Sequence, residues 1–207
     1  MKARRIPTQE RSRRRYEGIL DAAAGLFAET GFDATTMDAI AKRAGTSIGS
    51  VYQFFKNKKA IFVAVADRLM AREAAVFEDA VAAKLGGPWR DLLDGVVDAF
   101  VELREEPAWR AVWLTNLSLY GEIAELGDRY HHRILSRTEA IVGHYAKHFS
   151  EARRHLIAAT MVEAIGSMLM ASLRYDEATS RAMLIETKRM VQLYAEHALA
   201  ESPAQAT

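Results

Sequence analysis

Apolar residues recur at three- and four-residue intervals along almost the whole of this 207-residue chain, and no stretch alternates apolar with polar residues under β-branched enrichment. That period is the spacing of one face of an α-helix, so the chain reads as all-α with about nine helices. Punctuation is sparse, with four prolines and twelve glycines. Hydrophobic and charged contents of 50% and 27% are those of a globular protein and exclude a disordered chain. No apolar run approaches the ~18 residues a membrane span needs. The basic start (Lys2, Arg4, Arg5) is not followed by the apolar stretch of a secretory leader. With no cysteine, disulfide frameworks, thiolate metal sites and cysteine nucleophiles are excluded, which fits a cytoplasmic location.

A basic tail is expected over residues 1–10, then a first helix over about Arg11–Glu29 whose inner stripe is Tyr16, Ile19, Leu20, Ala23, Leu26 and Phe27. Gly31 follows as a helix-ending glycine. Thr35 or Thr36 caps a short helix to about Ala44, Gly45 breaks it, and Thr46 or Ser47 caps another to about Phe54. Asn57 caps a long helix to about Leu85, and Gly86-Gly87-Pro88 ends it. Pro88 and Pro107 suit the starts of helices over about Trp89–Glu105 and Pro107–Tyr120. Later helices are expected over Ile123–Phe149, with a break near Gly127, Glu151–Tyr175 and Glu177–Glu201.

The net charge of +1 hides a division. Residues 1–60 hold twelve basic and six acidic side chains, a net +6, and the remainder is −5. Residues 1–15 alone account for the +6, so 16–60 is neutral. A basic end on an acidic body points to a polyanionic partner for the small segment.

The informative stretch is Thr35–Lys59, TTMDAIAKRAGTSIGSVYQFFKNKK. Two helices of about eight residues meet at Gly45, where a sharp reversal needs φ > 0. The second opens on small and hydroxylated residues, Thr46, Ser47, Gly49 and Ser50, slim enough to enter a major groove ~12 Å wide. Ile48 suits a thymine methyl. Tyr52, Lys56 and Lys58 follow as phosphate donors, while Val51, Phe54 and Phe55 read as core.

These residues carry a resemblance. ILDAAAGLFAETGF (Ile19–Phe32), TTMDAIAKRAGTSIGSVYQFF (Thr35–Phe55) and KNKKAIFVAV (Lys56–Val65), in order and without a gap, look like the DNA-binding domain of the TetR family of transcriptional regulators. The resemblance covers roughly a quarter of the chain. It implies an Ω-shaped, all-helical homodimer that binds double-stranded DNA. Its domains would be a reader over 11–57 and an effector-binding and dimerisation region over 58–207. It also implies Thr36 and Lys58 at phosphate-contacting positions, Tyr52 facing the backbone and Thr46–Ser50 at the base-reading turn and helix. Gly49 departs from the pattern: it brings no side chain to a base, so Ser47, Ile48, Ser50 and Gln53 must carry direct readout.

The larger part has no comparable motif. The last two helices, about 151–175 and 177–201, carry apolar stripes suited to a twofold dimer. One runs through Ile157, Met161, Ile165, Met168 and Leu169, the other through Met183, Ile185, Met190, Leu193 and Tyr194. The candidate effector pocket is Phe100, Trp109, Trp113, Leu117, Tyr120, Tyr145, Met161 and Met168, which would suit an apolar or aromatic small molecule. The alternative for each is plain core. His144 and His148, four apart, have no third ligand in an obvious position and read as surface imidazoles, so no metal or cofactor is expected. No catalytic constellation stands out, and an enzyme is not expected. The reading is a repressor released from a palindromic operator by its effector. The alternatives are a DNA-binding protein without such a switch, architectural or partner-regulated, and a helical enzyme or carrier.

Overall fold

The computed structural model describes residues 10–200, with the backbone alone for 114–120 and 122. Most of the expected basic arm therefore lies outside the described residues, as do Leu117 and Tyr120 as side chains. Among the described residues every regular element is a helix: α1 (Glu10–Ala34), α2 (Met37–Arg43), α3 (Ile48–Phe54), α4 (Lys58–Lys84), α5 (Trp89–Arg104), α6 (Pro107–Tyr145), α7 (Glu151–Ser172) and α8 (Glu177–Leu199). The all-α class is as the periodicity requires. Gly31, at φ 80° and ψ 166°, interrupts α1, so that element is two helical pieces meeting at a glycine.

The starts follow local chemistry. Thr36 caps α2 by accepting from the Ala39 amide at 3.1 Å. Ser47 caps α3 and accepts from the Ser50 amide at 3.2 Å. Asn57 does the same for α4 through the Ala60 amide at 2.9 Å, and Ser150 and Asp176 cap α7 and α8. Each satisfies an amide that the first helical turn leaves without a carbonyl.

One expectation fails. The helices placed over Pro107–Tyr120 and Ile123–Phe149 are a single 39-residue helix, unbroken at Gly121 or Gly127. An interior glycine costs only about 1 kcal/mol against alanine, and Ile123 and Leu126 are buried there and hold the turn. That helix also stops at Tyr145, so His144 and His148 are not on one helix. Their rings lie instead against Tyr145 and Phe149 respectively.

The chain forms two compact units, one of the residues up to Ala71 with Arg104–Gly127, the other of Arg72–Leu103 with the residues from Asp128 on. In the first, Ile19, Leu20, Ala23 and Phe27 of α1 are buried, as are Ile40, Val51, Phe55, Ile61 and Phe62. Phe27, Phe32 and Phe62 form a ring triad with centroids 5.3–5.8 Å apart. In the second, α7 packs on α8, and Val142, Phe149, Ile157 and Ala198 share one apolar cluster.

Candidate nucleic-acid interface

The region of interest lies in the first unit and is built on α2 and α3. Gly45, at φ 61°, supplies the left-handed residue between them, which a side chain with a Cβ adopts only at a penalty. Behind α3, Val51 and Phe55 are buried, and Tyr16 of α1 stacks on Phe55 at 5.1 Å and meets Phe54 edge-on at 5.9 Å. These rings fix the inner side of a seven-residue helix too short to hold itself in water. On the outer side Ser47, Gly49, Tyr52 and Gln53 are exposed, with Tyr52 at 49%, and Thr46, Ile48 and Ser50 are half-buried. Ser47 Oγ donates to Ser50 Oγ at 3.1 Å, so the two hydroxyls at the head of α3 are linked. Thr36 and Lys56 are also exposed.

Lys58 differs from its neighbours. It is half-buried, and its Nζ donates to Phe32 O at 2.6 Å and Asp33 O at 3.0 Å while lying 4.4 Å from the Phe32 ring centroid. The other contacts that set α2 were equally hidden in the sequence. Arg43 forks onto Glu29 (Nη1–Oε2 2.5 Å, Nη2–Oε1 2.7 Å), which holds the Glu29 carboxyl below its usual range. The guanidinium crosses α1 at Gly25, where a Cβ would stand 2.9 Å from Nη2. The only sequence trace of this is a glycine one helical turn before an acid on the same face. Arg68 of α4 reaches Glu17 and Asp21 of α1, at 3.1 and 2.7 Å.

The residues assigned to an effector pocket divide between the units. In the first, Trp109 is buried and its ring lies 5.8 Å from that of Trp113. Arg104, which the sequence reading did not single out, is buried as well, and burial pushes its guanidinium pKa down. In the second, Phe100 and Tyr145 border the cluster of Phe77, Val81, Leu92, Val96 and Ile141, with the Tyr145 hydroxyl donating to Gly87 O at 2.9 Å. Met161 packs between the α6–α8 and α5–α8 clusters. Met168 is half-buried on α7. Among the described residues no group of three or more His, Asp or Glu side chains could hold a metal.

Two short helices turning at a left-handed glycine, the second pinned from behind and exposed to solvent in front, define a helix-turn-helix protein. Residues 19–65 match the family described as "Bacterial regulatory proteins, tetR family", and residues 88–194 match "Tetracyclin repressor-like, C-terminal domain". The second match alone spans more than half of the chain, and the protein belongs to the TetR family, a family of regulators and not of enzymes.

The chain is 28% identical over 129 residues to the HTH-type transcriptional regulator YhgD of Bacillus subtilis (strain 168), covering 62% of this chain and 63% of that protein. It is 29% identical over 110 residues to the HTH-type transcriptional repressor AcnR of Corynebacterium glutamicum, covering 50% and 58%. The aligned stretches thus span less than two thirds of these curated relatives. A TetR-family transcriptional regulator from Streptomyces coelicolor is similar in structure, with a TM-score of 0.66, 25% identity, and coverage of 89% of this chain and 99% of that one.

Proposed function

We propose that the protein is a cytoplasmic repressor that binds a palindromic DNA operator as a homodimer and leaves it on binding a small apolar or aromatic effector. One observation carries the reading: α3 buries Val51 and Phe55 and turns Ser47, Gly49, Tyr52 and Gln53 outward. Ser47 serves chiefly as the cap, so base contact falls to Thr46, Ile48, Ser50 and Gln53, with Ser50 keeping its own hydroxyl proton to offer to a base edge. Thr36, Tyr52, Lys56 and Lys58 contact phosphate, Lys58 through the donor it does not direct at Phe32 O and Asp33 O. The similarity to the repressor AcnR supports the direction of regulation.

A second copy of the chain is the partner that suits α7 and α8. Ile185, Met190 and Leu193, on one side of α8, are 45–61% exposed, and Leu156 of α7 is 55% exposed. Helix α7 is largely apolar, yet only Ile157, Ala158, Leu169 and Ser172 along it are buried, so its apolar surface exceeds what its own unit covers. A twofold dimer buries that surface and sets two reading helices ~34–36 Å apart, one turn of DNA.

Effector binding is assigned to the region of Trp109 and Trp113. The burial of Trp109, 2% exposed, favours one second reading, a DNA-binding regulator with no small-molecule switch. Selection of bound sequences from random duplex DNA, repeated across a small-molecule library, decides between them. A palindromic consensus released by apolar compounds supports the first reading. A consensus that no compound releases supports the second, and no enrichment at low salt defeats both.

A further inference from the structure

The end of α2 decides where α3 begins. After Arg43, the last residue of α2, the chain bonds back onto the helix it has left. The Ala44 amide donates to Ile40 O at 2.9 Å, the Gly45 amide to Lys42 O at 3.2 Å and the Thr46 amide to Ala41 O at 3.0 Å. The turn and the last turn of α2 are thereby one hydrogen-bonded piece, and a displacement of Arg43 carries Thr46 and the Ser47 cap with it.

That piece is tied to α1 through Arg43. Its two Nη atoms meet the two carboxylate oxygens of Glu29 at 2.5 and 2.7 Å. An exposed ion pair usually contributes little, but the two-bond fork is the geometry that fixes direction as well as distance. The guanidinium reaches Glu29 by passing over Gly25, one helical turn earlier in α1, where a Cβ would stand 2.9 Å from Nη2 and 3.0 Å from Cζ. At the other end of the motif Tyr16 of α1 packs on Phe54 and Phe55. Helix α1 therefore holds the two short helices at both ends.

We infer that Arg43, Glu29 and Gly25 form a positioning clamp for operator binding, which sets the place of Thr46, Ile48 and Ser50 at the head of α3 relative to α1. Gly25 and Glu29 act through Arg43 and the turn that follows it. The inference rests on the operator reading above.

The clamp separates stability from binding. Gly25→Ala sets a methyl against the tip of a flexible side chain, which yields by swinging off Glu29, while alanine is the better residue inside a helix. Its urea midpoint is expected at or above that of wild type, with affinity for the selected operator roughly three- to tenfold weaker. A contact that served the fold alone would move both in one direction. Glu29→Gln removes an acid from the DNA-binding unit, a change that long-range attraction alone would turn into tighter binding. With the charge-assisted fork lost, binding is expected instead to weaken roughly three- to tenfold. The double variant is expected to bind no worse than the weaker single one, because both changes break the same contact.

The full-length protein and the operator selected by the wild type serve for every variant, each with its urea midpoint. Should Gly25→Ala lower that midpoint, Glu29→Gln decides alone. Wild-type affinity in a stable Gly25→Ala, wild-type or tighter binding in Glu29→Gln, or additive losses in the double variant overturns the inference and leaves the operator reading intact. A wild-type protein that selects no duplex overturns both.

Discussion

Gly45 and Gly49 stand four residues apart in one motif and are glycines for different reasons. Gly45 has φ 61°, so a Cβ there is strained whatever the space around it. Gly49 sits in α3, and a Cβ built on it meets only Ser47 Oγ, at 4.0 Å. Gly45→Ala is therefore expected to cost roughly 1–2 kcal/mol in urea unfolding. Gly49→Ala is expected to stabilise by up to ~1 kcal/mol while weakening operator binding, because the added methyl faces the groove. Equal stability losses would refute the distinction, and unchanged operator affinity in Gly49→Ala would remove that residue from the reading surface. The outward residues divide in the same manner. Tyr52→Phe is expected to reduce affinity about equally for all sequences, and Ser50→Ala to relax preference at one base pair. Binding-site selection with each variant checks this, and a consensus shifted by Tyr52→Phe would reverse the assignment.

At the level of the element, most helix starts were legible because they rest on contacts three residues apart. The alternatives at α2 and α3 resolve to Thr36 and Ser47, and Asn57 caps α4 as expected. Lengths were less legible. The continuity of α6 through Gly127 depends on neighbours that bury Ile123 and Leu126, and no local pattern of the helix itself encodes them. The cap of α8 carries a pH signature. Asp176 accepts from the Thr179 amide at 3.0 Å and from its hydroxyl at 2.8 Å, which hold the carboxyl below its usual value of 3.8. A depressed folded-state pKa means that this stability is present above the unfolded value and is lost as pH falls through the folded one. Asp176→Asn is thus expected to flatten the acid limb of stability below pH ~4. Urea midpoints at pH 7 and 3 test this, and an acid limb identical to wild type would show that the cap makes no contribution.

For the whole molecule the decisive quantities are the apolar surface of α7 and α8 and the charge of the N-terminal end. Ile185 and Leu193 are 58% and 61% exposed, whereas Ile157 and Leu169 of the expected dimer stripe are buried in their own chain. Ile185→Asp with Leu193→Asp is expected to give a folded monomer with operator affinity reduced by at least tenfold. Sedimentation of the variant decides it, and a surviving dimer would move the twofold interface elsewhere. Removing residues 1–9 deletes Lys2, Arg4 and Arg5. That change is expected to lower affinity and salt slope, each lost phosphate contact contributing about 0.9, while the selected consensus stays the same. A changed consensus would assign base reading to the arm.

The sequence by itself determined the helical class, the helix-turn-helix and the residues on its outer side. Those rest on periods, caps and turns spanning three to eight residues, where the chain acts on its immediate neighbours. Only the tertiary structure decided where side chains go when their partners are distant in the chain. Lys58 reaches carbonyls 25 and 26 residues back, and Arg43 an acid 14 residues back. The same holds for the apolar stripes of α7 and α8: composition marks Ile157 and Ile185 alike, and one is 0% and the other 58% exposed because only packing assigns a face to the core. Hydrogen bonds and burial act through space, and separation along the chain does not record it.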